Sequence, residues 1–205
     1  MINTPNFPEW MVNEALTRYL KGDKQTGSRM EWFFSLPAQS SQGDVKVSDL
    51  CGFGWRKGDV FWQSEKSLKQ RMDRGSIPPG RFRLQFLSVR PDFRFCTRDM
   101  AQQLIIEGKG TPCQVTRDLP QARRYFEYLH DYPSKGAVIY LVPRDSDGWS
   151  SMLNKAAGDS GIPNGILLWS APFLQTLSTN LVDVVEESLA QTQVLLNKAR
   201  SLTGP

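Results

Sequence analysis

Apolar side chains recur along this chain with two periods, and the alternation between them divides it into elements. From Pro8 to Leu20, the residues Trp10, Val12, Leu16, Tyr19 and Leu20 form an imperfect helical stripe. Pro near its start and Gly22 at its end suit helix termini. Met30 to Trp55 breaks into short apolar pieces separated by Gly, Ser and Asp, which reads as short strands and loops. Phe61 to Met72 reads as a second helix with a polar and basic outer face, and Ser76 to Gly80 contains a Pro-Pro-Gly turn. The period then drops to two. Phe82, Leu84 and Phe86 alternate with Arg81, Arg83 and Gln85, as in a half-buried strand. Phe93 and Phe95 flank Arg94 in the same way, Arg98-Asp99-Met100 reads as a hairpin turn, and Gln103 to Glu107 is a third short strand.

The helical period returns at about Leu119 to His130, with Asp118 as N-cap and Pro120 in the first turn. Ala122, Tyr125, Phe126 and Leu129 give it one buried face. Ala137 to Val142 is a continuous apolar run, the pattern of a strand covered on both sides. Trp149 to Ala157 is predicted helical, Gly165 to Trp169 a buried strand, and Phe173 to Leu202 a long helix with a break near Ser178-Thr179-Asn180. Strands alternating with helices imply an α/β protein with a mixed central sheet flanked by helices. We read one domain: an N-terminal helix and irregular extension over 1–58, a core over 59–170 and a C-terminal helical segment over 171–205.

Composition narrows the class. At 205 residues, with 40% hydrophobic and 22% charged residues, the chain can bury a substantial core. It carries no apolar run of membrane-spanning length and no signal-like start, so a cytoplasmic protein without a membrane partner is expected. Cys51, Cys96 and Cys113 are odd in number and widely spaced, which fits neither a disulfide framework nor a zinc site. His130 is the only histidine and is given no role. No phosphate-cradling nucleotide motif is present. The net charge is +4, but its distribution says more. Lys66, Lys69, Arg71, Arg74, Arg81, Arg83, Arg90, Arg94 and Arg98 stand against only Asp73 and Asp92. Such a run is either a solvated face or a phosphate-contacting surface.

The run leads into the chain's most informative segment. Pro91-Asp92 is followed, after fourteen intervening residues, by Glu107-Gly108-Lys109. Asp92 opens one predicted strand and Glu107 closes the next, so a hairpin brings both carboxylates to one end of the sheet. Lys109 is two residues past Glu107 and shares its face. This constellation resembles the PD-(D/E)XK, or restriction-endonuclease-like, nuclease superfamily, over roughly Phe61 to Val142 and more weakly to Trp169.

The resemblance implies an αβββαβ core and a Mg²⁺-dependent nuclease acting on DNA, with Mn²⁺ as a substitute and RNA not excluded. Asp92, Glu107 and the Gly108 carbonyl would hold the metal, and any side chain would serve at position 108. Lys109 would orient or help deprotonate water and stabilise the transition state. Many such nucleases add an upstream helical Glu; Glu65 is preferred here over Glu14. Gln121, Arg90 and Arg94 are candidate phosphate contacts, and Asp99 is a lower-ranked rival of Asp92. Tyr125 is assigned to the core. A homodimer or larger nucleoprotein complex is compatible with this reading. The alternatives are a catalytically inactive nucleic-acid-binding or assembly module, and a structural protein in which Asp92 caps a turn and Glu107 and Lys109 form a surface ion pair.

Overall fold

The computed structural model describes residues 7–22, 27–63, 89–99, 101–110, 115–131, 135–144 and 148–202. In chain order the elements are α1 (Glu9–Lys21), α2 (Ser28–Ser35), β1 (Pro37–Ser40), β2 (Gly43–Lys46), α3 (Val47–Cys51), β3 (Val60–Gln63), β4 (Phe93–Cys96) and β5 (Gln102–Gly108). They continue with α4 (Val115–Asp131), β6 (Lys135–Val142), α5 (Trp149–Ala157), β7 (Asn164–Leu168), α6 (Ala171–Thr176) and α7 (Ser178–Leu202). The strands form one mixed sheet in the order β2-β1-β7-β6-β5-β4-β3. β5, β6 and β7 run parallel; the β3-β4-β5 pairs and the β2-β1-β7 pairs are antiparallel.

Two apolar layers clamp this sheet, and strand alternation sorts residues between them. Ile139 and Leu141 of β6 enter one layer, with Val12 and Leu16 of α1, Phe33 and Phe34 of α2, and Leu181 of α7. Val138, Tyr140 and Val142 enter the other, with Tyr125, Phe126 and Leu129 of α4 and Trp149 of α5. This is why β6 reads as a continuous apolar run: both its faces are covered. Each fully buried Leu, Ile or Val stabilises such a core by about 1.5–3 kcal/mol relative to exposure.

Several local readings are corrected. The expected helix over Phe61–Met72 begins instead as strand β3. Phe61 stacks on Phe95 and Phe93, with ring centroids 4.8 and 6.1 Å away, and tertiary packing overrides a short helical pattern. Residues 64–72, the predicted turn at 76–80 and the predicted strand at 81–86 lie outside the described residues. Within the expected strands and loops of Met30–Trp55, β1 and β2 form, but Ser28–Ser35 is helical. Its Met30, Phe33 and Phe34 share a buried face at helical spacing. β4 is buried on both sides rather than half-buried. Helix α4 starts at Val115, so Asp118 stands inside the first turn and is not the N-cap. The predicted break before the last helix falls at Leu177, between α6 and α7.

The segment expected as an N-terminal extension is integral to the core. Its β1 pairs with β7, and its α1 lies over the sheet and against α7. Arg18 of α1 grips Glu187 of α7 through both terminal guanidinium nitrogens, at 2.7 and 2.8 Å. Among the described residues no helix is long and apolar enough to cross a membrane. Cys51 and Cys96 are buried free thiols, and Cys113 lies outside the described residues.

Candidate active site

Polar side chains are expensive to bury, so a cluster of them beneath a sheet end needs an explanation. Asn13, Glu107, Lys109 and Asp118 are all buried, between 4% and 8% exposed, and they converge on the carboxyl end of β5. Open α/β sheets favour ligands at such ends. β4 and β5 pair antiparallel, with Phe93 opposite Ile106. The residues just outside that pair, Asp92 and Glu107, are therefore neighbours. β5 then delivers Glu107 and Lys109 to the α4 face and Gly108 to the α1 face, by simple alternation.

The contacts are specific. Asp92 Oδ2 accepts the Gly108 amide at 2.8 Å and Asn13 Nδ2 at 3.1 Å. The Asp92 amide donates to Glu107 Oε2 at 3.3 Å. Glu107 Oε2 also accepts the Tyr125 hydroxyl at 2.7 Å, and Oε1 accepts Gln121 Nε2 at 2.9 Å. Lys109 Nζ lies 2.8 Å from Glu107 Oε1 and 3.4 Å from Asp118 Oδ2. One helical turn before Asn13, Glu9 Oε2 accepts the Gly110 amide at 2.9 Å. The i, i+4 spacing of Glu9 and Asn13 puts both on the face of α1 that meets the end of β5.

Electrostatically the site is an excess of carboxylates around one ammonium. Desolvation pushes Glu107 up to about 7, helped by repulsion from Asp92. It also raises Asp92, Glu9 and Asp118 above the usual carboxylate range. Burial opposes the charge on Lys109, but Glu107, Asp118 and Glu9 outweigh it and hold the amine up at about 12. Among the described residues, four carboxyl groups share one buried ammonium, and a further positive charge would stabilise their ionised forms.

The donor set fits a hard divalent ion. Among the described residues no hydrogen bond ends on Asp92 Oδ1 or Glu9 Oε1, and Asn13 Oδ1 is buried without a partner. All three are oxygens, the donor type that Mg²⁺ selects. Among the described residues, no three His, Cys, Asp or Glu side chains enclose an ion by themselves. An ion that keeps several waters needs only one or two carboxylates. Glu107 is the less open member, since its oxygens already take four protein donors.

The structure brings together Asp92, Glu107, Gly108, Lys109 and Gln121. Glu65 lies outside the described residues. Glu14 does not reach the cluster; it pairs with Arg18 on the α1 surface at 3.0 Å. The acid that α1 supplies is Glu9, whose sequence signal was only a carboxylate in a first turn, four residues before a buried polar Asn. Tyr125, assigned to the core, is a site residue as well, and its signal was its position one turn beyond Gln121. Asp118 moved from cap to partner of Lys109.

Two further expectations are corrected. Position 108 is not indifferent to its side chain: a Cβ there would stand 2.5 Å from Asn13 Oδ1, so the Asn13 side chain would have to shift. Arg94 is not a phosphate contact. It is 1% exposed, donates to the Val89 carbonyl at 3.0 Å, and its guanidinium sits 5.2 Å from the Tyr128 ring centre. Arg90 and Arg117 are exposed beside the site. Asp99 caps its turn, accepting from Thr97 and the Ala101 amide, at the other end of β4 and β5. Comparison with protein-family models, with curated proteins and with solved structures found no match, which leaves side-chain geometry as the basis for a functional reading.

Proposed function

We propose that this chain is a Mg²⁺-dependent nuclease of the PD-(D/E)XK type that hydrolyses phosphodiester bonds in DNA. One observation carries the reading: Asp92, Glu107 and Lys109, the residues of the sequence motif, meet in a single buried cluster of surplus carboxylates. An ordinary surface ion pair has no need of such burial. Among the described residues the order α1, β3, β4, β5, α4 and β6 supports an αβββαβ reading, with α2, β1, β2 and α3 inserted after the first helix.

Asp92 and Glu107, with Glu9 and Asn13 offering further oxygens, would hold the ion. When bound, Mg²⁺ supplies acidified water and neutralises charge developing on the phosphate. Lys109, held at about 12, is an ammonium at neutral pH. It therefore donates: it orients a water and stabilises the extra negative charge on phosphorus. It does not act as a base while Glu107 and Asp118 flank it. Tyr125 and Gln121 fix the Glu107 carboxylate, and Asn13 fixes Asp92, so neither acid must reorient during turnover. Exposed Arg90 and Arg117 suit the DNA backbone.

The four donors already on Glu107 favour a second reading, an inactive nucleic-acid-binding module in which Lys109 and the carboxylates are structural. A cleavage panel of duplex, branched and single-stranded DNA and RNA with Mg²⁺, Mn²⁺ or chelator separates the two. Metal-dependent DNA cleavage lost in Lys109→Ala supports the nuclease. Salt-sensitive binding with no cleavage in any arm supports the module.

A further inference from the structure

Five of the six large apolar side chains most exposed among the described residues lie on α7: Val182, Leu189, Val194, Leu195 and Leu196, each between 45% and 65% exposed. The helix leaves the fold as it advances. Leu181 and Val184 are buried, whereas every residue from Leu189 to Ser201 is exposed. A helix of that length with no tertiary cover is marginal in water. Its apolar surface is also ordered. Val182, Val185, Leu189, Thr192, Leu196 and Ala199 are spaced alternately three and four apart, the seam of a two-stranded coiled coil. Thr192 fits this seam, because its hydroxyl donates back to the Ser188 carbonyl at 2.9 Å and its methyl remains to pack.

We propose that this seam pairs, antiparallel, with the same seam of a second copy of the chain. Charge selects both occupant and direction. Glu186, Gln193 and Arg200 flank the seam on one side at intervals of seven. An antiparallel pair with its two-fold axis between Ala190 and Gln191 sets Glu186 against Arg200 of the second copy, twice by symmetry, and Gln193 against itself. In the same register Val182 meets Ala199, Val185 meets Leu196 and Leu189 meets Thr192, so each layer joins a larger side chain to a smaller one. A parallel pair would place Glu186 beside Leu181 and Arg200 beside Leu195, with no charge matched. Opposed helix dipoles also favour the antiparallel form. The contact uses the same patch on both copies and closes as a dimer.

The seam is about 27 Å long, so the contact is small and the dimer belongs to the weak class. Sedimentation of the full chain between roughly 1 and 200 μM should show a monomer giving way to a dimer. Leu189→Glu/Leu196→Glu, at exposed positions, should stay monomeric throughout while keeping the near-UV spectrum of the folded core. Glu186→Arg and Arg200→Glu should each weaken the dimer roughly tenfold, and the double reversal should restore it. A monomer at every concentration would overturn the proposal. So would a dimer indifferent to the leucine changes, or a double reversal no tighter than the single ones.

Discussion

Asn13 reaches Asp92 across 79 positions of sequence, donating from Nδ2 to Asp92 Oδ2 at 3.1 Å, while its own Oδ1 lies against Gly108. The first helix is thereby locked to the motif that the sequence announces much later. Asn13→Ala removes that anchor without touching Glu107 or Lys109. On the nuclease reading, the Mg²⁺ concentration for half-maximal cleavage should rise about tenfold to a hundredfold, with the melting temperature little changed. Gly108→Ala should show the same defect, since its methyl group drives Asn13 off Asp92. An unchanged Mg²⁺ requirement in both variants would remove Asn13 from the site.

Lys109→Ala, Asp92→Asn and Glu107→Gln should each lower plasmid cleavage by at least a hundredfold, the usual scale for removing a charged catalytic group. Far-UV spectra should remain those of the parent. Full activity in any one of them would sink the assignment of that residue.

Folding stability should depend on pH through Glu107. Its pKa is raised from 4.5 to about 7 on folding, so the folded state holds the proton more tightly than the unfolded chain. The associated stability is complete below pH 4.5 and is lost as the pH climbs to about 7, on the order of 3 kcal/mol for this buried group. Asp92, Glu9 and Asp118 act in the same direction. In chelator, unfolding midpoints should therefore fall between pH 5 and pH 8. Glu107→Gln should flatten the curve, and Mg²⁺ should restore stability at the alkaline end. A flat profile in the parent protein would contradict the burial of these acids.

Tyr125 donates to Glu107 at 2.7 Å and so stabilises its ionised form. In Tyr125→Phe the acid limb of the pH–rate profile should move up by about one pH unit, the worth of one hydrogen bond to a charged group. A drop in rate at every pH with an unmoved limb would mean that Tyr125 only supports the fold.

Two neighbouring arginines should separate cleanly. Arg90→Ala should weaken DNA binding and reduce the slope of log affinity against log salt by about one. Arg94→Ala, which empties a buried position, should destabilise the protein by about 2–4 kcal/mol and leave the salt slope alone. The reverse pattern would show the wrong arginine at the phosphate.

Periodicity and punctuation in the sequence were enough for β4, β5, α4, β6, α5 and β7, because each buries a face or a run that its neighbours in the chain reveal. The spacing of Asp92, Glu107 and Lys109 was equally legible, since one hairpin and one strand determine which of them share an end and a face. Tertiary structure decided the rest. Phe61 could sit on a helix or a strand until Phe93 and Phe95 offered it a stack. Arg94 read as basic surface until Tyr128 and the Val89 carbonyl buried it. Glu9 and Asn13 carry little signal in their own segment, because what makes them part of the site is a helix docked against residues 101 and 79 positions away. Local pattern specifies elements and the contacts within them; only packing decides which distant side chains share one buried, poorly solvated space, and that space is what shifts the acids of this site.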